Sequence, residues 1–103
     1  LMSAQIAEEL EEYESAKDFY ELGLKLEPLE DSTLYFLNNN FGCLLNHLGQ
    51  FEEAEPHLER AISIEPLLLN GHKNLGIVRE GLGRIEEAVE CYIMSRGRAT
   101  LSG

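Results

Sequence analysis

Few side chains of this 103-residue chain stand where they could do chemistry. Cys43 and His47 are four apart, the spacing that sets two side chains on one helix face within reach of a shared metal ion. A structural zinc site needs four ligands, and two do not make one, so a packed thiol beside an exposed imidazole is the expectation and no metal is assigned. His57, His72 and Cys91 lack any recognisable catalytic partner, and the chain contains no phosphate loop, nucleophile elbow or metalloprotease motif. The Glu52-Glu53 and Glu86-Glu87 pairs read as charge at helix starts, where it opposes the positive end of the helix dipole. No catalytic residue and no cofactor is expected, and the chain reads as a non-enzyme. What remains is a set of asparagines. All six (Asn38, Asn39, Asn40, Asn46, Asn70 and Asn74) fall in two short segments, and a side-chain amide offers both donors and an acceptor to a partner's backbone.

The elements that would position them emerge from an internal repeat. Displaced by 34 residues, Asn40, Gly42, Leu48, Gly49, Glu52, Glu53 and Ala54 fall on Asn74, Gly76, Leu82, Gly83, Glu86, Glu87 and Ala88. An earlier copy appears at a displacement of 38, where Leu10, Glu14, Ala16, Glu21, Glu27 and Pro28 fall on Leu48, Glu52, Ala54, Glu59, Glu65 and Pro66. In the middle copy Leu37, Phe41, Leu44, Leu45 and Leu48 recur at helical spacing, and Gly49 ends that helix. A second helix carries Phe51, Ala54, Leu58, Ala61 and Ile62 on one face and stops at Pro66, which cannot donate a backbone hydrogen bond. Pro56 is expected close enough to the helix start for its missing N–H to cost little. No period-2 pattern indicates a strand. The fold is expected to be all-α.

A helix pair of about 34 residues with this pattern resembles the tetratricopeptide repeat. The matching residues are Phe41-Gly42, Leu45, Ala54, Leu58, Ala61 and Pro66 in the middle copy, and Leu75-Gly76, Ala88 and Tyr92 in the last. The run Phe51–Pro56 is also similar to the kinesin-light-chain type of the repeat. The resemblance implies a right-handed superhelical solenoid of about two and a half to three repeats and roughly six helices. Its repeats would be 1–30 with a truncated first helix, 31–68, and 69–103 with no separate cap. Asn38 and His72 stand where the family favours Trp, Arg79 where it favours an aromatic residue, and Thr100 where it favours a closing proline. Leu1 before Met2 reads as a trimmed start, and the chain as a piece of a longer array.

In such an array the first helices line a concave groove. That assigns Phe36, Asn39, Asn40, Cys43, Asn46 and His47, then Asn70, Lys73, Asn74 and Ile77, to a peptide- or protein-binding face. Asn40 and Asn74 resemble the asparagine ladder with which some family members hold a peptide main chain; the alternative is that these amides bond neighbouring helices or water. A carboxylate clamp is not supported, since among the bases only Lys73 is suitably placed.

The composition narrows the partners. With 19 acidic and 8 basic residues and a net charge of −11, the chain should repel nucleic acid. It has no apolar run of the ~18 residues a membrane span requires and no leader-like opening, so a cytoplasmic location is the expectation. Residues 1–34 are strongly acidic and the last copy is close to neutral, which reads first as a solvated surface. The sharper reading is head-to-tail self-association, with the acidic start meeting Arg84, Arg96 and Arg98, and with Val89, Tyr92 and Ile93 as an apolar contact.

Overall fold

The computed structural model describes residues 4–26 and 29–96, with side chains from residue 11 onward. Pro28, Gly97, Arg98 and Thr100 lie outside the described residues. Five helices succeed one another: α1 (Ala4–Lys25), α2 (Asp31–His47), α3 (Phe51–Ile64), α4 (Leu69–Gly81) and α5 (Ile85–Arg96), with no strand among the described residues. The tightest pairs are α2 with α3 and α4 with α5, and α3 also packs on α4. This is the all-α helical array expected.

Glycine makes both tight turns. Gly49 and Gly83 adopt φ of +78° and +81°, the left-handed region that suits a residue without Cβ. At the end of α2, the Gly49 N–H bonds Asn46 O (3.0 Å) and the Gln50 N–H bonds Leu45 O (2.8 Å), so two of the orphan carbonyls are satisfied. Gly83 and Arg84 repeat the pattern on Glu80 and Arg79. The first copy has Glu11 at the corresponding position, and there the chain does not turn: α1 runs unbroken through it for 22 residues. The array therefore has five described helices rather than about six, because the residue that would reverse the chain is missing.

The core is a contiguous cluster of Phe41, Leu45, Ala54, Leu58, Leu75, Val78 and Cys91, with Tyr20, Leu24, Phe51 and Ile62 packed against it. Tyr20 ties α1 to this core by stacking on Phe41, with ring centroids 5.8 Å apart and planes 20° from parallel. Pro56 departs from expectation. It is the sixth residue of α3, past the first turn whose N–H groups have no partner anyway, so the Glu52 carbonyl loses its helical donor. That loss is tolerated because Pro56 is exposed and the carbonyl can meet water.

Candidate functional site

The helices that carry the asparagines lie side by side. Asn74 Nδ2 on α4 donates to Asn39 Oδ1 on α2 at 3.0 Å. Asn39 is buried, Asn40 and Asn74 are half-buried, and Cys43, His47, Asn70, Lys73, Phe36 and Ile77 are exposed. The amide pair that forms is thus 39 with 74, whereas Asn40 makes no side-chain hydrogen bond among the described residues. One expected main-chain ligand, Asn74, already commits a donor inside the protein.

Toward the C-terminal ends of the same two helices, Asn46, His47, Ile77 and Glu80 line a cleft of about 560 Å3 with Phe51 and Tyr92. Phe51 reaches it because α4 has glycine at position 81; a Cβ there would come within 2.8 Å of the Phe51 ring. The Tyr92 hydroxyl donates to Glu80 Oε1 at 2.7 Å. Burial, with the Glu80 charge adding to it, pushes the Tyr92 phenol up to about 12, so it is a standing donor at neutral pH. Helical spacing alone does not assign Phe51 and Tyr92 this role. The signal for it is the glycine at 81, which leaves an opening that another element must fill. Tyr92, half-buried, rests against Gly76 of α4, while Val89 and Ile93 remain about half-exposed on α5.

Cys43 and His47 do not converge with a third ligand. Instead the His47 ring lies against Tyr13, with centroids 5.0 Å apart. Among the described residues no three His, Cys, Asp or Glu side chains gather as metal ligands, and no helix is long and apolar enough to cross a membrane.

Asn38 and His72, 34 residues apart and equivalent in the two copies, are both buried polar residues. Two clefts, of about 540 and 300 Å3, open beside Asn38 and His72. Asn38 is fully buried and bonded on both sides: Nδ2 donates to Leu34 O at 2.9 Å, and Oδ1 faces His57 Nδ1 at 3.1 Å. The Leu34 carbonyl can only accept, which fixes the amide's orientation. Asn38 Oδ1 must then accept from His57, so neutral His57 carries its proton on Nδ1. Burial pushes the His57 pKa down, against the opposing pull of the Glu53 and Glu21 charges. In the next copy His72 Nε2 donates to Pro66 O at 3.0 Å.

Arg79, in place of an aromatic residue, has become a hub. Its Nε bonds Glu55 (3.2 Å) and an Nη bonds Glu59 (3.2 Å), both on α3, while the other Nη reaches Cys91 Sγ at 3.4 Å on α5. Arg84 also donates to Glu55 at 2.7 Å. Burial pushes the Cys91 thiol up despite Arg79, which disfavours the thiolate a nucleophile requires. Arg84 is thus paired with α3, and Arg96 is engaged too.

Comparison with known proteins agrees with this architecture. Two family models described as tetratricopeptide repeat match residues 39–64 and 1–28, together just over half of the chain. Over 81 residues, 79% of the chain, the sequence is 31% identical to the small glutamine-rich tetratricopeptide repeat-containing protein 2 of Saccharomyces cerevisiae. The aligned region covers 22% of that relative, so the chain spans about a fifth of its length.

Proposed function

The chain belongs to the tetratricopeptide-repeat family, whose repeats serve as protein–protein interaction modules, and from that premise we propose that it holds an extended segment of a protein partner in the groove of α2 and α4. The observation that carries this reading is the Asn39–Asn74 hydrogen bond. It brings the two first helices into register and orients the Asn74 amide, while the neighbouring Asn40 amide keeps its donors and acceptor open. An extended main chain alternates N–H and C=O groups, and two such amides answer both. Asn39 acts here as the residue that holds Asn74, and Asn46, Asn70, Lys73, Phe36, Ile77, Cys43 and His47 border the track. In this reading residues 31–68 and 69–103 are each one repeat and residues 1–30 an incomplete one.

The test is affinity capture from the native lysate with wild type, the Asn40→Ala/Asn74→Ala variant, and a Glu90→Ala control on the far side. A partner retained by wild type and control but lost from the asparagine variant, with helicity unchanged by circular dichroism, supports the groove. Equal recovery by all three overturns it.

A second reading, assembly through terminal helices, is favoured by one observation. Ile85, Val89 and Ile93 leave an exposed apolar stripe on α5. It predicts a mass that rises with protein concentration and falls in Val89→Ser/Ile93→Ser; a monomer at all concentrations rules it out.

A further inference from the structure

α3 and α5 each bury one face against the first helix of their own pair. On α3 that face is Ala54, Leu58 and Ala61, all fully buried; on α5 it includes Ala88 and Cys91, nearly so. A small residue on the covering helix makes the fit, since Gly42 rests on Leu58 and Gly76 on Tyr92 and Cys91. The 38-residue displacement gives α1 the same face: Ala16, Phe19, Tyr20 and Gly23 correspond to Ala54, His57, Leu58 and Ala61. Tyr20 turns to the core and Gly23 rests on Leu37 of α2, but on the Phe19 side the face has no covering helix among the described residues, because α1 continues straight where the chain would have turned back. Phe19 is 70% exposed and Leu22 61%, whereas His57 packs on Phe41 with ring centroids 4.4 Å apart.

Phe19 and Leu22, at i and i+3, form an exposed apolar patch on α1. Beside it, at helical spacing, stand Glu11, Glu12 and Asp18, all exposed. None of the three forms an ion pair among the described residues; of the two cations on α1, Lys17 is engaged by Gln50 (3.2 Å) and Glu53 (3.3 Å), and Lys25 stands in the last turn, so the carboxylates outnumber the one cation beside them. Charge therefore selects the occupant. A second copy of α1 would bring the same carboxylates against themselves, and α5, with Glu86, Glu87 and Glu90, would fare little better.

We propose that this uncovered face of α1 is a docking site for a basic amphipathic helix of a partner protein, seated as α2 seats on α3. Such a helix presents a small residue flanked by leucine-like side chains to Ala16, Phe19 and Leu22. Its lysines or arginines face Glu11, Glu12 and Asp18. The site is separate from the groove of α2 and α4, so either can fail alone.

The probe is a synthetic helical peptide of leucine, alanine and lysine with its apolar residues on one face, its binding to the whole chain read by fluorescence anisotropy. Three comparisons define the outcome: a scrambled peptide of equal charge, the same peptide with glutamate for lysine, and protein variants Phe19→Ser/Leu22→Ser and Val89→Ser/Ile93→Ser. All of these substitutions fall at exposed positions. The expected result is binding at least tenfold weaker for the scrambled and glutamate peptides and for Phe19→Ser/Leu22→Ser, with no change for Val89→Ser/Ile93→Ser. Equal binding of the scrambled peptide would reduce the site to a diffuse acidic surface and overturn the proposal. Equal binding by Phe19→Ser/Leu22→Ser would do the same. So would wild-type protein whose mass shows self-association that this variant abolishes, since a second copy would then be the occupant.

Discussion

Gly42 of α2 and Leu58 of α3 meet with no room for another atom between them. A Cβ on Gly42 would stand 2.7 Å from Leu58 Cδ2 and closer still to Cγ, and Leu58 is fully buried with nowhere to retreat. The same relationship joins Gly76 to the Tyr92 ring, where the gap would be 2.7 Å, but Tyr92 is only half-buried and can yield toward solvent.

Gly42→Ala should therefore destabilise the fold by roughly 1–3 kcal/mol through overpacking, only partly offset by alanine's better helix propensity. Gly76→Ala should cost less. Urea unfolding of both variants decides the order, and a Gly42→Ala protein as stable as wild type would mean that the two helices separate easily.

The Arg79–Glu55 pair is the main polar link across α3, α4 and α5, and both side chains are mostly buried, at 18% and 14% exposure. Arg79→Ala should cost about 1–3 kcal/mol because Glu55 and the Cys91 thiol lose a donor. Glu55 keeps Arg84, which limits the loss. A double-mutant cycle of Arg79→Ala with Glu55→Ala should give a coupling energy above ~0.5 kcal/mol; additive effects would show that the contact is not energetically used.

Stability should depend on pH through His57. Its folded pKa is depressed, chiefly by burial, so the unfolded chain takes up a proton that the folded chain resists. The contribution is fully present above the unfolded value of about 6.5 and is lost as pH falls from there through the lower folded value. Thermal midpoints measured between pH 7.5 and 5 should fall, and less steeply in His57→Gln. Identical slopes would exclude His57 as the source.

Tyr35 is buried, and its hydroxyl makes no hydrogen bond of good geometry although it lies near Gly71 at the start of α4. An unsatisfied buried hydroxyl opposes folding by about 1–3 kcal/mol. Tyr35→Phe should be neutral or stabilising in chemical denaturation. A loss of more than ~1 kcal/mol would reveal a bond from Gly71 N–H that stabilises the helix start.

Much of this can be read from residue order because it depends on local rules. The 34-residue period, the helical stripes and the Gly49 and Gly83 turns all derive from spacing and from the one residue type that tolerates positive φ. The same rule explains where α1 runs on, since Glu11 offers no turn, although superposing the copies places a helix break there. What order alone leaves open is which partner each polar side chain finds. Asn74 pairs with Asn39 and not Asn40, Arg79 draws two glutamates from α3, and Asn38 divides its amide between Leu34 and His57. Each of these bonds joins groups whose positions depend on how one helix settles on the next. A small shift or a change of rotamer would redirect them, so only the tertiary structure decides which amides remain for a partner and which face of α1 is left without cover.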